Sequence, residues 1–226
     1  MLKLSHYIFI YLGTPVLVYT MILISGDIYW YYGNLFALMT TLSVYLTSTY
    51  LMIYNKGLLL ERFNFKSSDQ ETKDKSFIGN IGLYLFILYY IILPLSYRYA
   101  ILGHFNHQLQ IISTILLFKG YVTIFLVFKQ NSYASPIIRN QKERNHTIIT
   151  NGLYAIVRHP MYTACVIIFI FTPLMLNSLL GLVFGIYISY IFCKRIKVEE
   201  EFLIKEFPIY MDYKTKVKYK IFPFIY

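Results

Sequence analysis

Hydrophobic residues fall in long unbroken blocks along this chain, with polar residues gathered in the gaps between them. Residues 4–24, 28–54, 77–95 and 109–128 are four such blocks. Each reaches or nearly reaches the ~20 residues a helix needs to cross ~30 Å of hydrocarbon. A fifth block, 164–193, is longer. As one straight helix it would extend about 45 Å, half again the thickness of the hydrocarbon. Its middle reads Pro173-Leu174-Met175-Leu176-Asn177-Ser178. Proline disfavours a helix interior and Asn-Ser favours a turn, so the block predicts a tight helical hairpin with arms near 160–176 and 178–196. The expected fold is all-α: a polytopic transmembrane helical bundle of about six membrane helices, closed by that C-terminal hairpin.

The gaps carry the charge, and the charge orients the bundle. The loop 55–76 holds Lys56, Arg62, Lys66, Lys73 and Lys75, and the segment 129–163 adds Lys129, Arg139, Lys142, Arg144 and Arg158. The opposite gap, 96–108, holds only Arg98. With the hairpin in place, all of the 21 Lys/Arg residues except Arg98 and Lys119 lie on one side. Positive residues favour the cytoplasm, so both termini are expected there. A single long span over 164–193 would instead export the basic tail.

Composition narrows the class further. The chain is 57% hydrophobic and 14% charged, against about 25% charged in soluble domains, which leaves no room for a separate soluble domain. The net charge of +10 follows the loops and forms no single stripe, so nucleic acid is not expected as a partner. Cys165 and Cys193 both fall inside predicted helices and read as small packing residues, not a disulfide framework. The first block lacks a small-residue cleavage site and reads as a retained span. Tyr29-Trp30-Tyr31-Tyr32 reads as an interfacial aromatic anchor. A Lys/Ile/Asn/Tyr-rich composition leans toward a bacterial inner membrane. Two regions are expected: 1–128 with four spans, and 129–226 with the hairpin, the tail and the chemistry.

That chemistry sits in two polar knots flanking the hairpin. The first is 151–162, Asn-Gly-Leu-Tyr-Ala-Ile-Val-Arg-His-Pro-Met-Tyr; the second is 194–201, Lys-Arg-Ile-Lys-Val-Glu-Glu-Glu. A hairpin brings both to one membrane face, where a single span would hold them a bilayer apart. Arg158-His159-Pro160 starts a helix with proline in its favoured first turn, and such a start offers N–H groups and a positive dipole end to an anion. Arg195 and Glu199, four apart, share one helix side. The knots together offer acceptors for an ammonium or ribose and donors for a carboxylate. The histidines have no cysteine or acidic neighbours at zinc spacing, so no metal is expected. His104 and His107 read as interfacial groups. Lys119, near the middle of the fourth span, is ionisable at a depth where such residues are usually functional. The loop 61–75 mixes signs and reads as a solvated connector or a cofactor lid. The Lys-rich tail 214–220 reads as lying on anionic lipid.

At these residues the chain resembles the isoprenylcysteine carboxyl methyltransferase family and the related phospholipid methyltransferases. The matching elements are His146 with Thr150-Asn151-Gly152-Leu153-Tyr154, then Arg158-His159-Pro160-Met161-Tyr162, then Arg195-Ile196-x-x-Glu199-Glu200. They continue with Tyr210, Tyr213, Val217, Tyr219, Ile221 and Pro223. The resemblance covers about 131–226. Leu153 stands where the family commonly has proline, Ala164 where it often has glycine, and Asn145 where glycine usually precedes the histidine.

The resemblance implies a membrane-embedded methyltransferase using S-adenosylmethionine in a cytoplasmic pocket. It implies that His146, Thr150, Gly152, Tyr154, His159, Tyr162, Glu199 and Glu200 surround the cofactor, with Arg195 near the acceptor. Arg195, Glu200 and Arg158 are the expected catalytic residues: Arg195 to orient an acceptor carboxylate, Glu200 with Glu199 to hold the cofactor, and Arg158 to pair with one of those carboxylates and support the fold. The acceptor it implies is hydrophobic and enters from the bilayer: an isoprenylcysteine-like carboxylate, a phospholipid amine or a small hydrophobic metabolite. NADPH-dependent sterol reductases share Arg-His-Pro-x-Tyr and a Tyr-rich tail, and stand as the alternative enzyme class. A scaffold whose charges only set topology is the non-enzymatic alternative.

Overall fold

The structure, a computed structural model, describes residues 4–65, 70–101 and 105–225. Among the described residues four helices are long and apolar enough to cross a membrane: α1 (Leu4–Ser25), α2 (Tyr31–Tyr54), α5 (His107–Gln130) and α7 (Leu179–Glu206). Between them run the short α3 (Lys56–Glu61), α4 (72–98) and α6 (Pro160–Met175), and α8 (Tyr210–Lys216) follows. Two of these, α4 over Gly82–Arg98 and α6, are shorter apolar helices. The expected all-α bundle forms, with four helices of membrane-crossing length and two shorter apolar ones among the described residues. No strand occurs among the described residues.

Two helices widen locally where the sequence demands it. Phe9–Gly13 in α1 and Leu88–Ile92 in α4 are π-helical turns. Pro15 and Pro94 follow each by two residues. A proline ring clashes with the carbonyl four residues back and donates no hydrogen bond, and a π turn relieves both conflicts without breaking the helix.

The hairpin turns where Pro173 and Asn177 place it. Asn177 takes a left-handed backbone conformation, φ +61°, which asparagine tolerates better than most residues. The Ser178 hydroxyl caps α7 by accepting from the Gly181 N–H at 2.9 Å. In lipid, helices associate through close backbone approach more than through apolar burial, so small residues mark the contacts. A Cβ on Gly185 would lie 2.2 Å from the Phe169 carbonyl oxygen. Gly120 likewise lets α5 meet Ile167 and Ile168 of α6. Tyr162, Phe169, Ile188, Phe192 and Ile196 fill the hairpin seam inside the main core.

At the end of the bundle away from the two knots, Trp30 is buried and stacks on Tyr97 with ring centroids 4.2 Å apart. It is a packing residue there, whereas its neighbours Tyr29 and Tyr31 are exposed as an interfacial anchor should be. His104 lies outside the described residues. His107 opens α5 with Nδ1 2.9 Å from the Tyr32 hydroxyl. Lys119 is exposed on α5.

Candidate functional site

The first knot is held by the tail. The N–H groups of Arg158 and His159 donate to the carbonyls of Tyr219 at 2.9 Å and Lys220 at 2.8 Å. Both are therefore spent on chain packing and are not free for an anion. Arg158 Nη1 donates to the carbonyls of Val217 at 2.7 Å and Lys218 at 2.8 Å. Its Nε donates to Glu200 Oε1 at 2.7 Å, so the buried guanidinium ties the tail to α7.

The adjacent glutamates of the second knot have different surroundings. Successive residues point about 100° apart around a helix. Glu200 points inward: its side chain is 6% exposed, and Oε1 also meets His159 Nε2 at 3.2 Å and the Tyr210 hydroxyl at 3.4 Å. Glu199 is 25% exposed and accepts one hydrogen bond, from the Tyr162 hydroxyl at 2.5 Å. Its other oxygen lies 3.8 Å from His159 Nδ1. One carboxylate braces the fold, and the other faces an open space.

That space is a cavity of about 100 Å³ that opens to solvent. Its wall includes Tyr133, Ser135, His146, Tyr154, His159, Tyr162, Arg195 and Glu199, with Ile138, Met161, Phe202 and Leu203 supplying apolar surface. The segment 131–149 forms one side, pinned by Asn131 Nδ2 donating to the Tyr154 hydroxyl at 2.8 Å. The Tyr213 hydroxyl donates to the Tyr154 carbonyl at 2.7 Å. Loss of solvation on burial and competition from Glu199 and Tyr213 push the Tyr154 phenol up, against the Asn131 hydrogen bond, so it stays protonated. His146 lies between Tyr133 and Phe207, with ring centroids 4.5 and 4.8 Å away. Burial, then the charges of Arg144 and Arg139, lower its pKa to about 4. Its Nδ1 is buried and makes no hydrogen bond. A buried polar atom without a partner is costly, so this one is suited to a ligand.

Seven of the sequence-predicted residues therefore line one cavity: His146, Tyr154, Arg158, His159, Tyr162, Arg195 and Glu199. Glu200 lies behind that wall. Thr150 is exposed outside it. Gly152 turns the chain with φ +59°, and a Cβ there would sit 2.6 Å from Gln130 Oε1, which accepts from the Leu153 N–H at 2.9 Å. Its need for glycine is a local packing need.

The loop 61–75 behaves differently from a solvated connector. Glu61 is buried and binds Arg139 through two hydrogen bonds, Oε1 to Nε at 2.9 Å and Oε2 to Nη2 at 2.8 Å. That pairing, aided by Glu143, raises the Arg139 pKa against the opposing effect of burial. Asp74, fully buried, accepts from Arg195 Nε at 2.8 Å, from the Ile138 N–H at 2.8 Å and from Gln70 Nε2 at 3.1 Å. The part of this loop at 66–69 lies outside the described residues. Among the described residues no group of three or more His, Cys, Asp or Glu is placed to hold a metal ion.

Comparison with known proteins agrees with the motifs. Residues 111–205 match the model of the isoprenylcysteine carboxyl methyltransferase (ICMT) family. The Protein-S-isoprenylcysteine O-methyltransferase of Saccharomyces cerevisiae is 40% identical over 93 residues, covering 40% of this chain and 38% of the yeast protein. Proteins of the same name from Mus musculus and Homo sapiens are 35% and 34% identical over 93 residues, covering 40% of this chain and 33% of theirs. The chain thus spans well under half the length of these curated relatives in the matched region. The solved structure of the eukaryotic intramembrane Ras methyltransferase ICMT aligns with a TM-score of 0.53 at 18% identity, covering 99% of each chain. That likeness establishes a shared multi-pass membrane fold. The resemblance drawn from the motifs is borne out, whereas these eukaryotic relatives lend no support to the compositional lean toward a bacterial membrane.

Proposed function

We propose that this chain is an integral membrane S-adenosylmethionine-dependent methyltransferase that O-methylates the carboxylate of a prenylated cysteine or a similar hydrophobic acceptor. One observation carries the proposal. Tyr162, the last residue of the Arg-His-Pro-x-Tyr motif, hydrogen-bonds Glu199 through its hydroxyl while the Arg195 guanidinium lies 5.8 Å from its ring centre. The two knots thus present an anion and a cation to one cavity, as a cationic donor and an anionic acceptor require.

The residues fit the cofactor. An amino-acid-bearing nucleoside needs acceptors for its ammonium and hydroxyls and an apolar slot for its base. Glu199 and the tyrosine hydroxyls provide the first, and Ile138, Phe202 and Leu203 contribute to the second. The unpartnered His146 Nδ1 is a further contact awaiting a ligand. In this assignment His146, Tyr154, His159, Tyr162 and Glu199 hold the cofactor. Thr150 and Gly152 shape the chain entering that wall, and Arg158 with Glu200 keeps the start of α6 fixed against α7.

The cofactor, when bound, supplies an electrophilic methyl group on sulfur. An acceptor carboxylate is already anionic, so no general base is needed and the protein's part is positioning and electrostatics. Arg195 orients the acceptor carboxylate. Glu199 attracts the cationic donor. The charge asymmetry of the loops supports a cytoplasmic side for the cavity and both termini. Residues 1–128 then serve as membrane scaffold and 129–226 as the catalytic region, with the acceptor entering laterally from the bilayer.

The test is methyl transfer by the purified full chain in detergent, with labelled S-adenosylmethionine and separate acceptors: an S-prenylated cysteine, a phospholipid amine and no addition. Base-labile label on the prenylcysteine is the expected result. Label on the phospholipid alone would move the assignment to N-methylation, and no transfer to any acceptor would overturn it.

A further inference from the structure

We propose that Asp74, in the first turn of α4, is the positioning residue for the acceptor carboxylate site, because it fixes which edge of Arg195 the cavity receives. The inference rests on the reading of Arg195 as the acceptor-orienting group.

A guanidinium offers two edges to carboxylates: a side edge, Nε with one Nη, and an end edge, the two Nη groups. In Arg195 the side edge is taken. Nε donates to Asp74 Oδ1 at 2.8 Å and Nη2 donates to the Pro136 carbonyl at 2.5 Å. Nη1 makes no hydrogen bond among the described residues, and Arg195 lines the cavity. An incoming carboxylate is left the end edge.

Asp74 is itself held rigidly. Its second oxygen accepts from the Ile138 N–H at 2.8 Å and from Gln70 Nε2 at 3.1 Å, while the Glu71 N–H donates to the Ile138 carbonyl at 2.9 Å. The start of α4 and residues 136–138 thus clasp each other, and Arg195 is locked between them. An arginine this buried, with the side chain 5% exposed, has few rotamers to lose when the acceptor binds. Pre-organisation of that kind lowers the cost of recognition.

Asp74 sits outside residues 111–205, the stretch that matches the family model. Its charge serves a second purpose. It neutralises the guanidinium in the absence of acceptor, so that the buried cation is never unpaired.

The experiment uses the full chain in detergent with an S-prenylated cysteine as acceptor, and as competitor its carboxamide analogue, which keeps the lipid but loses the anion. Asp74→Asn leaves Arg195 free to turn. Loss of one charge-assisted contact predicts a KM for the carboxylate acceptor raised about tenfold or more. The inhibition constant of the neutral carboxamide and the affinity for S-adenosylmethionine are expected to stay within about twofold of wild type. A general packing defect would weaken all three together, and that result overturns the proposal, as does an unchanged acceptor KM. Should Asp74→Asn fail to fold, Gln70→Leu removes one of the groups holding Asp74. It is expected to raise the carboxylate KM selectively by a smaller factor; an unselective or absent effect would then count against Asp74. If the wild-type protein transfers no methyl group to any acceptor, the functional reading itself fails, a result distinct from either.

Discussion

Glu199 and Glu200 are neighbours in sequence, yet their glutamine variants are expected to fail in different ways. Glu200→Gln removes the negative charge opposite Arg158, whose side chain is 3% exposed against 6% for Glu200. Breaking a buried ion pair by removing one partner costs about 3–5 kcal/mol when the remaining charge has no other support. Here the Val217 and Lys218 carbonyls still accept from Arg158, and the glutamine oxygen can replace one carboxylate oxygen. The expected loss is therefore about 2–3 kcal/mol, between a charged hydrogen bond and a stranded charge. Glu199→Gln disturbs one hydrogen bond, from Tyr162, on a side chain 25% exposed, and an amide oxygen can still accept it. Its cost to the fold is expected to stay below about 1 kcal/mol. Its cost to S-adenosylmethionine affinity is expected to be about tenfold or more, because the charge lost faces the cation. The assay pairs denaturant unfolding in mixed micelles with equilibrium cofactor binding on the same preparations. If Glu199→Gln unfolds as easily as Glu200→Gln, or Glu200→Gln is as stable as wild type, the division of roles is wrong.

Two further outcomes follow from the geometry. Gly185→Ala puts a Cβ where the Phe169 carbonyl oxygen would be 2.2 Å away, so the hairpin arms must separate. Folded yield in detergent should fall sharply, with about 2 kcal/mol or more lost to overpacking, and a normal yield would refute the close approach. His146 should titrate near pH 4 in place of 6.5, because burial and the charges of Arg144 and Arg139 disfavour the imidazolium. A folded-state pKa below the unfolded one means that protonation favours unfolding. Stability linked to this group is then full above pH 6.5 and is lost as pH falls toward about 4. NMR of ring-labelled histidine, assigned by loss of the signal in His146→Gln, checks the midpoint; a value near 6.5 would contradict the burial.

The hairpin was legible because a proline and an asparagine mark a turn in a block too long for one span. The meeting of the two knots was legible through that hairpin, since spacing alone brings both to one face; the hydrogen bond from Tyr162 to Glu199 within it was not. The distinction between Glu199 and Glu200 was not. A one-residue step on a helix changes the direction faced, and only the position of Arg158 decides which carboxylate is buried. The 61–75 loop misled for a related reason. Mixed charges usually mean solvation, but Glu61 and Asp74 are buried because Arg139 and Arg195 meet them from segments 78 and 121 residues away. No local pattern encodes contacts that distant. The second knot carries three glutamates beside Arg195, so nothing local in the sequence points that arginine to Asp74 instead.

The most direct test is an equilibrium titration of labelled S-adenosylmethionine onto the purified full chain in detergent, with NADPH as competitor. The account predicts saturable binding at one site, weakened by Glu199→Gln and indifferent to NADPH. Absence of saturable binding, or displacement by NADPH, would contradict it.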